Sequence, residues 1–335
     1  MRIRRADERS ERRLEELREQ AWRAGRVEAP GVRPSGAPFP KATAETGYYG
    51  LPLLKPPTWT WEVPLYFFAG GAAGAASVIA AVSRRRDPGL SRDARFLSAV
   101  GAAVSPLLLV SDLGRPARFL NMLRVFKPQS PMSVGAWTLV FFSSASTAAA
   151  LADLAEERGV APRLARVLGP PAGLAAAASG LVMATYTGVL VGATAIPVWS
   201  ESVPLLPVHF AASGLATAGA LLELAGNRSR ALNRVGLAAA AVETGIGAAL
   251  EASRRPALEP AKKGWSGRVV RAGGLLSGPL PLALRLLFPR SKRARRFAAA
   301  SSVIGSLLTR AGWVAAGRVS AKDPRVPLKL PTEID

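Results

Sequence analysis

The stretch 111–142, SDLGRPARFLNMLRVFKPQSPMSVGAWTLVFF, sets Asp112, Arg115, Arg118, Arg124 and Lys127 between two apolar runs. A carboxylate and a guanidinium three residues apart, where an apolar run stops, can pair as the chain leaves hydrocarbon. Buried deeper, either charge would cost at least about 2.5–3.5 kcal/mol on insertion scales. Gly114 and Pro116 break the helix and turn the chain. The following RFLNMLRVF has the pattern of a short amphipathic segment lying in the interface. Pro131 restarts a helix, with Ser130 and Ser133 as candidate caps. The Asp112–Arg115 pair reads either as an ion pair that only orients helix ends or as part of a polar pocket and its proton path.

Six further residues have side chains suited to chemistry in an apolar setting. Glu62, flanked by Trp59 and Trp61, is placed to exchange protons at the edge of a span, or to snorkel into the interface. Tyr66 and Tyr186 offer phenolic hydrogen bonds, although tyrosines near span ends also form interfacial belts. Thr187 has its own helix backbone as the simplest partner. His209, the one histidine, stands at a span start and reads first as an interfacial hydrogen-bonder. Glu243 falls inside an apolar run, where a carboxylate must be neutral or paired, for example with an arginine of another helix.

These residues must be positioned by membrane-length elements. Apolar residues make up 49% of the 335-residue chain although its net charge is +21, so the charge must lie outside the long apolar runs. About eight such runs are present, at 59–82, 96–110, 131–151, 169–191, 205–224, 232–252, 269–287 and 297–316. Their length and lack of alternation predict transmembrane helices rather than a barrel. The sixth is interrupted by Glu243 and the seventh by Gly and Pro in GGLLSGPLPLALRLL. Small-residue faces such as GGAAGAAS and AASGLATAGA allow close helix approach. The expected fold is an all-α integral membrane protein of about eight helices, as a bundle or two four-helix bundles. It is divided into a polar, partly disordered extension (1–58), the membrane domain (59–317) and a tail (318–335).

Residues 1–28 carry both charge signs with helical spacings such as Glu15 to Arg18, and no apolar core follows them as a signal peptide requires. The arginine clusters fall between apolar runs as loops rather than as a stripe interleaved with aromatics, which argues against nucleic-acid binding. The alternate loops SRRRDPGLSRDAR, EERGVAPRLAR, GNRSRALNR and PRSKRARR form the more basic set. By the positive-inside rule they face the cytoplasm, with both termini outside. The absence of Cys and the single His exclude a bis-histidine haem or an iron–sulfur cluster held by this chain.

The segment DLGRPARFLNMLRVFKPQSPMSVGAWTLVFF resembles the polysulfide-reductase NrfD-type (PsrC-like) membrane subunits, in which Asp-Leu-Gly-Arg-Pro is followed by Arg-Phe and Ser-Pro-Met-Ser-x-Gly. WEVPLYFFAGGAAGA, YTGVLVGATAIPVW and RAGWVAAGRVSAKDP extend the likeness from the first span to the C-terminus. The resemblance implies a multi-pass subunit of a prokaryotic cytoplasmic membrane. It would anchor a molybdopterin catalytic subunit and a four-cluster ferredoxin-like iron–sulfur subunit, and exchange electrons with a quinone or quinol, as in anaerobic respiration. Glu62, Tyr66, Asp112, Arg115 and Tyr186 are then the expected quinone-pocket residues, with Tyr186, in the Tyr-Thr-Gly element, the preferred hydrogen-bond donor. A transporter built on small-residue helices and a purely structural anchor are the competing readings. The transporter would show a repeat between halves, and none is evident.

Overall fold

Helix starts in this chain are written in two-residue signals. Asp87 precedes Pro88 and accepts from Leu90 N at 3.0 Å, and Ser130 precedes Pro131 and accepts from Ser133 N at 3.3 Å. Ser229 and Ser291 cap in the same way, accepting from Leu232 N and Ala294 N. A side-chain oxygen satisfies a free N–H while proline pre-sets the first helical φ. In the computed structural model, which describes residues 54–113, 117–323 and 326–327, these signals open helices one after another. The N-terminal extension through residue 53 lies outside the described residues. So do Gly114, Arg115 and Pro116, and with them the expected Asp112–Arg115 pair.

The described residues are all-helical. The order is α1 (Glu62–Ser83), α2 (Pro88–Asp112), α3 (Ala117–Met122), α4 (Pro131–Glu157), α5 (Pro162–Gly192), α6 (Pro197–Ser200), α7 (Leu206–Leu224) and α8 (Arg230–Ala252). A 3-10 turn (Pro256–Ala261) follows, then α9 (Gly264–Ser277), α10 (Pro279–Leu287) and α11 (Lys292–Lys322). Five of them, α1, α2, α4, α5 and α8, are long and apolar enough to cross a membrane by length and composition. The expected seventh run does not form one helix. It breaks at Gly278, giving α9 of 14 residues and α10 of 9, because Gly278 and Pro279 cannot continue the turn. Helix α11 runs on through Lys322, beyond the apolar run that predicted it.

Helix α1 is central: 67% of its apolar window is buried, against 22% for α2. It packs against α2, α5, α7 and α11, while α4 lies on α2 and α5, and α9 on α11. Small residues make these crossings possible. A Cβ on Gly214 would lie 2.8 Å from the Gly71 carbonyl, and one on Gly74 would lie 2.4 Å from the Gly180 carbonyl, so α1 meets α7 and α5 backbone to backbone.

The four arginine-rich loops share one end of the chain. Arg95 pairs with Asp153 and Arg92 with Glu157 across α2 and α4, Asn227 donates to Asp93, and Arg295 reaches Glu223 at 2.5 Å. The opposite end gathers Thr60, Asp112, α6 and the C-terminal part of α11. There the Trp199 indole donates to Trp313 O at 2.8 Å, and Ser320 Oγ accepts from Val198 N. Trp59 packs against two aromatic rings. It stacks on Trp199 with centroids 5.1 Å apart and meets Phe67 edge-on, since α6 brings a buried indole to face it.

Candidate functional site

At the end opposite the arginine loops, two carboxylates converge on one hydroxyl. Thr60 Oγ1 contacts Glu62 Oε2 and lies 3.2 Å from Asp112 Oδ1, to which Thr60 N also points at 3.4 Å. Both carboxylates are half-buried. Helix α1 begins at Glu62 and α2 ends at Asp112, so the chain's two polar boundary residues meet where both helices leave the apolar layer. The six-residue helix α3 that follows is largely exposed. Ser130 caps α4 as expected. Ser133 instead ties down the preceding loop, accepting from Lys127 N at 3.0 Å and donating to Val125 O at 3.3 Å.

One turn deeper than Glu62 lies Tyr66, only 2% exposed, with Met183 of α5 and Ser105 of α2 beside it around Gly70. Its ring touches Phe67, and its hydroxyl has no hydrogen-bond partner among the described residues. Tyr186 lies over Gly135, where a Cβ would come within 2.0 Å of its oxygen, and its hydroxyl donates to Pro131 O at 2.5 Å. That bond commits the Tyr186 proton to the start of α4 and leaves the oxygen's lone pairs as its free function. Neighbouring Thr187 is fully buried and, contrary to expectation, its hydroxyl does not bond to its own helix. Gly188 completes the element: a Cβ there would lie 2.5 Å from Leu206 O, so only glycine lets α7 begin against α5. Glu62 and Asp112 thus converge on Thr60, and Tyr66 and Tyr186 lie deeper at the same end.

A second polar centre lies in the C-terminal half, and it corrects one expectation. His209 is 5% exposed rather than interfacial, because α7 packs its first turn inward against α11. Its Nδ1 is 3.6 Å from Glu243 Oε1, too long for a hydrogen bond. Glu243, 1% exposed, is held by Ser277 Oγ at 2.7 Å and not by a direct arginine pair. Both His209 nitrogens, Glu243 Oε1 and the Trp313 indole N–H lack partners among the described residues. They border a cavity of about 320 Å³ with Ile246, Val270 and Leu275, which reaches the surface beside the Glu251–Arg271 ion pair. Buried polar atoms are rarely left unpaired, so this grouping marks a place where water or a ligand can be held.

Sequence reasoning did not single out Arg310, the fully buried guanidinium of α11. It donates to Ser213 Oγ (2.7 Å), Ser306 O (3.2 Å) and Phe210 O (3.2 Å), packs on Gly71 and stands 5.3 Å from the Phe210 ring centroid. Arg285 of α10 was likewise overlooked. It forms a two-pronged pair with Glu223 at 2.7 and 3.1 Å and reaches Asn233 at 2.9 Å. The signal available for both was an arginine inside an apolar run.

A family model described as polysulfide reductase, NrfD_2, matches residues 45–322. The chain therefore belongs to this NrfD family of membrane subunits of redox complexes. In general such subunits interact with quinones and associate with iron–sulfur and molybdopterin subunits. Several long apolar helices together with the family make it a multi-pass membrane protein. No curated protein matches it.

Proposed function

We propose that this chain is the membrane anchor and quinone-interacting subunit of a molybdopterin oxidoreductase complex, and that it passes electrons between the quinone pool and a four-cluster iron–sulfur partner. The observation that carries the reading is the convergence of Glu62 and Asp112 on Thr60, with Tyr66 and Tyr186 buried at the same end, in a chain that has no Cys and one His. With no ligands for a haem pair or cluster, any metal redox centre that exchanges electrons with the pool belongs to a partner at that same end. On this reading α7, α11 and the α9–α10 pair complete about eight crossings. The arginine loops face the cytoplasm, both termini lie outside, and the polar extension precedes the membrane domain.

The residues present fit a quinone head group. When bound, a quinone supplies two-electron, two-proton chemistry at its ring oxygens. Tyr66 has an uncommitted phenol to donate to a carbonyl oxygen, and Tyr186 has lone pairs to accept from a quinol hydroxyl. Glu62 and Asp112, bridged by Thr60, connect that position to water and can carry protons between them. Arg115, three residues on from Asp112 in the sequence, is proposed to belong to the same pocket. Met183, flexible and polarizable, is the side chain best able to make room for a ring.

A second reading places the ring in the cavity beside His209, Glu243 and Trp313, and rests on their unpartnered polar atoms. The copurified complex, assayed for oxidation or reduction of a quinol analogue, separates the two. Loss of turnover with Asp112→Asn and Tyr66→Phe, but not with His209→Gln, supports the first. The reverse pattern supports the second. Full activity in all three variants would leave a structural anchor.

A further inference from the structure

The arginine-rich end contains a cavity that the quinone reading does not use. It has a volume of about 490 Å³, lies between α1, α2, α4 and α5, and falls in the size range of small-molecule sites. Arg84, Arg85, Arg86 and Arg95 line it together with the apolar Ala80, Val82, Leu174 and Ala176. Val82 is 76% exposed and Leu174 64%, so the apolar lining is continuous with the surface that faces lipid. Gly173 lies 3.7 Å, measured from where its Cβ would stand, from the Arg95 guanidinium, so this floor of the cavity carries no side chain.

The charges around the cavity do not cancel. Asp153, Glu156 and Glu157 line the adjoining cleft, but each is engaged: by Arg95, by Arg166 at 3.3 Å and by Arg92 at 2.8 Å respectively. Arg84, Arg85 and Arg86 have no carboxylate partner among the described residues and are exposed. Three uncompensated guanidiniums therefore stand at the rim of an apolar slot, at the headgroup depth of a membrane helix end. Basic pockets between helices on the positive side of a membrane protein bind anionic lipid head groups, since guanidinium matches phosphate geometry and the slot accepts an acyl chain.

We infer that the cavity bounded by Arg84, Arg85, Arg86 and Arg95 is a binding site for one anionic phospholipid, its phosphate on the arginines and an acyl chain along Val82 and Leu174. The inference rests on the membrane character of the chain and not on the quinone reading, and its test involves no electron transfer.

The full chain, purified in detergent with any subunits that copurify, is examined by native mass spectrometry and thermal melting with added phosphatidylglycerol, cardiolipin, phosphatidylcholine or inorganic phosphate. Each basic side chain near an anionic surface contributes about fivefold to binding. The triple variant Arg84→Gln, Arg85→Gln, Arg86→Gln is therefore expected to bind anionic lipid about a hundredfold more weakly and to lose the anionic-lipid rise in melting temperature. Arg228→Gln, Arg230→Gln, Arg234→Gln removes the same charge from exposed positions at the same end and is expected to retain both. Gly173→Leu, which fills the floor without changing charge, is expected to reduce the bound lipid. Equal binding of phosphatidylcholine, equal losses in the two triple variants, or full protection by inorganic phosphate alone would overturn the proposal.

Discussion

Tyr66 and Tyr186 make opposite predictions for the same chemical change, the removal of one phenolic oxygen. In Tyr186→Phe the ring still covers Gly135, but Pro131 O loses a 2.5 Å hydrogen bond. A net contribution of about 1 kcal/mol is expected to disappear, lowering the melting temperature by roughly 2 °C. In Tyr66→Phe no protein hydrogen bond is lost, so melting should stay within about 0.5 kcal/mol of the parent, as for a change that breaks no structural feature. If Tyr66 donates to a quinone carbonyl, the same substitution removes a bond worth about 0.5–1.5 kcal/mol. That is roughly a two- to tenfold loss in kcat/KM for a quinol analogue. The assay is steady-state turnover of the purified complex together with melting followed by tryptophan fluorescence. Turnover unchanged in Tyr66→Phe, or a fall in its melting temperature equal to that of Tyr186→Phe, would refute the assignment of a free donor.

Gly214→Val places a side chain where a Cβ already stands 2.8 Å from Gly71 O, so α1 and α7 must separate, at a cost of about 1–3 kcal/mol or more, visible as a loss of monodisperse protein on gel filtration. Glu223→Leu strands Arg285, itself 2% exposed, and should destabilise by about 3–5 kcal/mol. Adding Arg285→Leu should recover part of the melting temperature lost. Glu243→Gln keeps an oxygen for Ser277, so quinone-linked proton release measured with a pH dye is expected to be unchanged; a loss would move the proton path to the His209 cavity. For orientation, Trp61→Cys, at an exposed position, should react with an impermeant thiol reagent added outside intact cells, and Arg85→Cys should not.

Much of the architecture was legible because local signals and length act alone. Ser130–Pro131 names its own helix start, and Gly278–Pro279 names its own break. The positions of Glu62 and Asp112 at helix ends followed from where apolar runs stop, although their meeting at Thr60 did not. His209 was misread because its environment comes from far along the chain: Glu243 from α8, Trp313 from α11, and Ser277, which holds Glu243, from α9. No spacing within α7 announces those partners. Arg310 was legible in principle, since an arginine within 297–316 must find acceptors. Its acceptors, Ser213 and Phe210, are some hundred positions earlier. Tyr186 carried a motif, but whether its proton was free depended on the register of α5 against Pro131.

The two ends of the molecule constrain where its partner can sit. Helix α1 has 22 residues, so the two ends are separated by about 33 Å of helix. The carboxylates and tyrosines occupy one end and the uncompensated arginines the other. A partner docked on the arginine end would have to exchange electrons with the Tyr66 region across that whole length, in a chain whose single His and lack of Cys leave no relay along it. Docking beside Glu62 and Asp112 removes the crossing, because a partner's iron–sulfur centre then needs only to approach the surface formed by the starts of α1 and α4. The arginines are left free for the anionic face of the membrane, which the positive-inside rule requires of them. The same asymmetry therefore supports the proposed docking side, the proposed orientation and the place of the proposed lipid.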